Sequence, residues 1–195
     1  MNVHAIQTGC VRIKTAQVEG RGHGLPRRIA IFTDRNWTDW LPTYAWVIEH
    51  PDGVIVVDTG QGAHLLESGK SFHPYVRWEV APRIERDEEI VPQLRALGIG
   101  SRDVKRIVLT HLHMDHHDGG LAHFPNSEIL VARGELHVAS GWAGRVRGYL
   151  PNRWPSWFDP VPLDLTSEPF GPFLASKRLT TSKDSRRRRD ACPHR

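Results

Sequence analysis

Cysteine is nearly absent from this chain. Its 195 residues contain only Cys10 and Cys192. They stand near opposite ends, and neither has a second cysteine at metal-ligand spacing, so no disulfide framework and no cysteine zinc site is expected. No apolar run approaches the roughly 20 residues needed to cross a bilayer, and no membrane partner is expected. The opening Met1-Asn2-Val3-His4-Ala5-Ile6-Gln7 lacks the basic-then-apolar layout of a secretory signal, so the expected location is cytoplasmic. No internal repeat is visible. Positive charge is also scarcer than the net value of +4 implies. Eight Lys/Arg and two Asp lie between Lys177 and Arg195, which is +6. That leaves 18 basic and 20 acidic residues, or −2, for the rest. A body so close to neutral is not a nucleic-acid-binding face, and no specific nucleic acid is expected as a partner.

The hydrophobic fraction of 39% is ordinary for a globular protein, and the length suits one domain. Val3 to Lys14 reads as a strand pair or one bent strand, with Gly9 at the bend. Glu19 to Pro26 reads as a loop and Arg28 to Phe32 as a short strand. Tyr44 to Ile48 and Val54 to Val57 flank Pro51-Asp52-Gly53, a strong turn signal, and form a β-hairpin. The unbroken run Val54 to Val57 implies burial on both faces. Asp87 to Leu97 reads as a helix capped by Asp87, with Ile90, Leu94 and Leu97 on its buried stripe, Pro92 near its start and Gly98 at its end. Asp103 to Leu109 is a strand, Gly119 to His123 one helical turn, Glu128 to Ala132 a strand, and Arg133 to Ala139 a helix. Alternating strands and helices indicate a layered α/β fold. From Trp142 to Phe173 the texture becomes aromatic and proline-stiffened, either a substrate wall or a loop packed on the core.

Thr110-His111-Leu112-His113-Met114-Asp115-His116 carries the chemistry. Three histidines and a carboxylate fall within six positions, just after the apolar run Ile107-Val108-Leu109. Zinc and similar ions take imidazole and carboxylate ligands in such compact sets. If the chain stays extended, His111 and His113 point to one side. Asp115 and His116 follow after a bend and can face a second ion.

This run resembles the HxHxDH motif of the metallo-β-lactamase superfamily. The hairpin ending in Asp58-Thr59-Gly60, the Gly119-Gly120-Leu121 step and the strand Glu128 to Ala132 are similar to that family too. The resemblance extends from about residue 3 to about residue 176 and is nearest the N-acyl-homoserine lactonase-like branch. It implies an αββα sandwich in the α/β (α+β layered) class. His111 and His113 would then hold one zinc, and Asp115 and His116 a second. Hydroxide between the metals would attack a lactone or other acyl carbonyl, with Asp115 passing a proton. Asp58 would orient a ligand histidine through its other ring nitrogen. The implied partner is a small acyl or lactone substrate. Other hydrolases of this fold, such as thioesterases and β-lactamase-like enzymes, stay open. So do a homodimer and metals other than zinc.

Two departures stand out. His117 and Asp118 put two residues where the family has one before Gly-Gly, and His117 reads as a bystander. The family's later ligands also have no counterpart: after His137 only His194 remains, and Asp159, Asp164, Asp184 and Asp190 lack suitable surroundings. Four ligand positions are recognisable, so fewer or weakly held zinc ions are expected. Residues 1–176 are therefore read as the N-terminal portion of the domain, incomplete in its C-terminal half, and 177–195 as a basic tail, disordered or frameshifted. One synonymous codon choice from Arg186 onward, read one base later, yields Gly-Val-Val-Val-Met-Pro-Ala-Pro-Thr-Gly, a strand and loop of the kind the family would place there. A non-catalytic remnant with weak metal affinity is the competing expectation.

Overall fold

The computed structural model describes residues 1–20, 23–67, 78–117, 119–146, 149 and 154–180. The tail readings at Arg186 to Arg195, together with Asp184, His73 and Asp118, fall outside the described residues. The elements are β1 (Asn2–Ile13), α1 (Thr15–Glu19), α2 (Gly24–Thr33), β2 (Leu41–Glu49), β3 (Val54–Val57), α3 (His64–Glu67), β4 (Val80–Arg83), α4 (Ile90–Ala96), β5 (Val104–Leu109), α5 (Met114–His117), β6 (Glu128–Ala132), α6 (Arg133–Ala139), α7 (Gly141–Val146) and β7 (Val161–Leu163). Single 3-10 turns span Arg86–Glu88 and Leu121–His123.

The strands form one seven-stranded mixed sheet in the order β4-β1-β2-β3-β5-β6-β7. Its first half, β4 through β3, is antiparallel, and β3, β5, β6 and β7 run parallel. The expected hairpin is present, with Ile48 opposite Ile55 and Gly53 N–H donating to the His50 carbonyl at 2.9 Å. Gly53 has φ +116°, a conformation that favours glycine. β2 alternates as a half-buried strand should: Ala45 and Val47 are fully buried, while Tyr44 and Trp46 face outward. β1 is a single bent strand. Its register against β2 shifts between Gln7 and Cys10, around Gly9 at φ +79°. Both edge strands contain a proline, Pro82 in β4 and Pro162 in β7, where a missing N–H does least harm to the ladder.

The core lies between the parallel strands and the helices. Val56, Ile107, Leu109 and Val131 from the sheet meet Ile90 and Leu94 of α4, together with Leu112, Leu121 and Phe124. Truncating one such aliphatic residue to alanine costs about 2–5 kcal/mol. Tyr149 is buried with this cluster, and Trp154, Trp157 and Phe158 pack against it. The described residues fall into two compact units, the first Met1–Asp164 and the second beginning at Leu165. In the second, Thr166 and Ser176 exchange backbone hydrogen bonds at 2.9 and 3.1 Å.

Three local readings of the sequence are corrected. Arg28 to Phe32 lies within helix α2, which also takes in Gly24 and Pro26 from the expected loop. Asp87 does not cap the helix that follows: Glu85 and Glu88 form a capping box around the Arg86–Glu88 turn, and α4 begins after Glu89. The aromatic stretch from Trp142 holds regular structure, because β7 adds to the sheet beside β6.

Candidate metal centre

Parallel strands β3 and β5 end side by side, with Val57 in register with Val108. Ligands of open α/β sheets bind beyond such carboxyl ends, and here the two following segments meet. After β3 the chain enters Asp58-Thr59-Gly60-Gln61, every residue of it buried. After β5 it enters the histidine run.

Hydrogen bonds lock the two segments together. Asp58 N–H donates to the Val108 carbonyl at 2.9 Å, and Thr59 N–H to the His116 carbonyl at 2.7 Å. The Thr59 hydroxyl donates to the His117 carbonyl at 2.9 Å. Gly119 N–H donates to the Gly60 carbonyl at 2.9 Å. A Cβ on Gly119 would stand 1.7 Å from the Gln61 carbonyl oxygen, so only glycine fits there. Gln61 anchors the turn to the sheet through its amide, which donates to the Thr8 carbonyl at 3.2 Å and to the Thr43 hydroxyl at 2.9 Å.

Asp58 is at the centre of this region. It is the only non-glycine among the described residues with positive φ, +59°. Its carboxylate accepts Thr110 N–H at 2.8 Å, the Thr110 hydroxyl at 2.7 Å and Nδ1–H of His116 at 2.8 Å. His116 therefore has its Nδ1 engaged and its Nε2 available, 3.5 Å from Oδ2 of Asp115.

His111, Asp115 and His116 each present a ligand atom within 4.8 Å of the others. The rings of His111 and His116 are 3.7 Å apart between centroids. His113 is not part of this group. Its ring lies 5.1 Å from that of His111 and stacks on Tyr149 at 4.3 Å. His117 is 2% exposed, and its Nε2 has no hydrogen-bond partner among the described residues.

The electrostatics differ from ring to ring. Burial lowers the pKa of His111, and the neighbouring His116 lowers it further. Burial also disfavours charged His116, but the hydrogen bond to Asp58 and the nearby Asp115 outweigh it and raise its pKa. His117 is pushed down to about 4, chiefly by burial. A deprotonated imidazole is the form that binds a metal; burial favours that form in His111, whereas Asp58 and Asp115 oppose it in His116.

Sequence reasoning missed Glu135. Its carboxylate reaches from α6 to accept Leu112 N–H at 2.9 Å, fixing the backbone between His111 and His113. No short-range signal marks it, because the contact spans 23 residues. Thr110 was visible as a hydroxyl residue beside the first histidine, but its bond to Asp58 depends on the β3–β5 pairing.

A profile of the metallo-beta-lactamase superfamily matches residues 38–181. An N-acyl homoserine lactonase AttM from Azorhizobium caulinodans is 29% identical over 140 residues, covering 71% of this chain and 48% of that protein. An N-acyl homoserine lactonase from a Bacillus species is 33% identical over 100 residues, 51% of this chain and 40% of that protein. The chain thus spans about half the length of the curated relatives it matches. Among solved structures, an N-acyl homoserine lactone hydrolase with the product N-hexanoyl-L-homoserine at its catalytic metal centre superposes with a TM-score of 0.59 and 25% identity, over 76% of this chain and 56% of that one. A probable metal-dependent hydrolase from Staphylococcus aureus, 19% identical with a TM-score of 0.55 over 83% of this chain and 61% of its own, shares the fold. With the profile covering most of its length, this chain belongs to the metallo-beta-lactamase superfamily.

Proposed function

We propose that this chain forms the metal-binding portion of a hydrolase acting on lactones or related acyl compounds. The donor group of His111, Asp115 and His116, with Asp58 behind His116, carries the reading. Two imidazoles and a carboxylate suit zinc, and the occupied Nδ1 of His116 leaves one nitrogen for a metal. The lactonases among the relatives support the substrate class.

His111, His116 and Asp115 would hold the ion, and by resemblance His113 would join them. When bound, a divalent cation lowers the pKa of water and polarises a carbonyl. Asp58 keeps the His116 ring fixed. Asp115, whose side chain is 24% exposed, can take a proton on Oδ2 and return it to the departing oxygen. Residues 1–176 would form this portion and 177–195 a separate tail. We place the protein in the cytoplasm, in keeping with its two cysteines, Cys10 being free. No helix among the described residues is long and apolar enough to cross a membrane. A homodimer is a further proposal, to be decided by light scattering.

The test is zinc content after dialysis, combined with ring opening of an N-acyl homoserine lactone before and after chelation. Retained zinc and chelator-sensitive turnover are expected, and His113→Ala should abolish that turnover. Turnover that survives chelation or the His113→Ala change would sink the metal-dependent reading. A second reading, metal binding without catalysis, draws on the stacking of His113 on Tyr149 outside the donor group. It calls for less than one zinc per chain, lost on dialysis, and no turnover.

A further inference from the structure

Three donors converge on Asp58, and only one of them has a choice of partner. Thr110 N–H goes to Oδ1, and Nδ1–H of His116 goes to Oδ2. The Thr110 hydroxyl also lies 2.7 Å from Oδ2. A carboxylate oxygen engaged in this way accepts hydrogens and gives none, so the single hydroxyl hydrogen of Thr110 is committed to Asp58. The same Thr110 oxygen is 3.2 Å from Nδ1 of His111. Toward that ring it offers lone pairs alone. The contact is therefore a hydrogen bond when Nδ1 of His111 carries the hydrogen, and a repulsion between lone pairs when it does not.

We propose that Thr110 is a positioning residue that relays Asp58 to His111, so that one buried carboxylate sets the tautomer of two histidines. His116 is set directly and His111 through the Thr110 hydroxyl. In both rings the nitrogen left to bind a metal is Nε2. The donor set is thereby arranged before any ion arrives, and less ordering remains to be done on binding. The relevance to metal binding rests on the metal-centre reading above; the tautomer assignment does not.

The experiment compares the wild-type chain with Thr110→Val and Thr110→Ser. Valine keeps the branched Cβ and the backbone N–H to Asp58 but removes the hydroxyl. Serine keeps the hydroxyl. Long-range proton–nitrogen NMR of metal-free, nitrogen-15-labelled protein, at a pH where the imidazoles are neutral, reports which ring nitrogen bears the hydrogen. The expected result is Nδ1–H for both His111 and His116 in the wild type and in Thr110→Ser. In Thr110→Val, His111 shifts toward Nε2–H while His116 keeps Nδ1–H, which also shows that the Asp58 turn remains folded. Zinc affinity should fall about 10–100-fold in Thr110→Val and recover in Thr110→Ser. Nε2–H on His111 of the wild type overturns the proposal, as does an unchanged His111 tautomer in Thr110→Val. Expected tautomers in a wild-type chain that binds no zinc uphold the relay and overturn the metal-centre reading instead.

Discussion

The Asp58–Gln61 turn and helix α2 invert the usual rule of burial in opposite senses. In the turn, polar side chains are inside: Asp58 is 5% exposed, and Thr59 and Gln61 are fully buried. In α2, apolar side chains are outside: Leu25, Ile29 and Phe32 are all more than half exposed, and no residue of the helix is buried. Burying a polar group is costly unless specific partners meet it. The Asp58 carboxylate has Thr110 and His116, the Thr59 hydroxyl the His117 carbonyl, and the Gln61 amide N–H group Thr8 and Thr43, while Gln61 Oε1 has no partner among the described residues. Exposed apolar residues are common and carry little information singly. The difference teaches where this chain commits its structure: to a strand-end turn with no latitude, facing the histidine run.

If the contrast is right, substitutions in the two regions should differ sharply. The largest effect is expected for Gly119→Ala, whose Cβ would collide with the Gln61 backbone. A loss of more than about 3 kcal/mol in urea denaturation, or failure to fold, is the expected outcome. Asp58→Ala should come next. It strands the Thr110 N–H and hydroxyl and Nδ1 of His116, and it puts a Cβ residue at φ +59° without the side-chain hydrogen bonds that favour aspartate there. About 2–4 kcal/mol is expected, with Asp58→Asn milder because asparagine tolerates this backbone.

A pH series sharpens the comparison further. His117 has its pKa depressed to about 4, against 6.5 for an ordinary histidine. The unfolded chain therefore binds the proton more readily than the folded one between these values. The contribution of neutral His117 is complete above pH 6.5 and is lost as pH falls toward 4. It is on the order of 3 kcal/mol. His116 acts in the opposite sense. With its folded pKa raised, its contribution is present below pH 6.5 and fades as pH rises through the folded value. Denaturation midpoints of the metal-free protein and of His117→Asn, followed from pH 4 to 8, should show a shallower acid-side loss in the variant. The smallest effect is expected in α2, where Leu25→Ala should change stability by no more than about 0.5 kcal/mol. A cost there equal to that of Asp58→Ala would break the contrast.

The hairpin, strand β5 and the histidine run were legible because each carries a short-range signal: Pro51-Asp52-Gly53, a β-branched run, and ligand residues at close spacing. Arg28 to Phe32 was misread because the four-residue apolar run from Ile29 to Phe32 fits a strand or a helix equally, and periodicity cannot separate them. β7 was hidden by Pro160 and Pro162, which disguise a strand that tolerates proline only because it lies at the sheet edge. Within the site, His111, Asp115 and His116 could be picked from the sequence and Asp58 from the resemblance, but Glu135 and the particular contacts that hold the run could not. Glu135 lies 23 residues from Leu112, and Asp58 lies 52 from Thr110. Pairings over such distances exist only once β3, β5 and β6 are side by side.

His111, Asp115 and His116 are proposed to make one metal site. Zinc affinity by competition with a chromophoric chelator, measured for the wild type, His116→Ala and Leu25→Ala, tests it most directly. Binding by the wild type and by Leu25→Ala, with a loss of at least about 100-fold in His116→Ala, is the expected result. Equal affinity in all three, or no binding by the wild type, would contradict it.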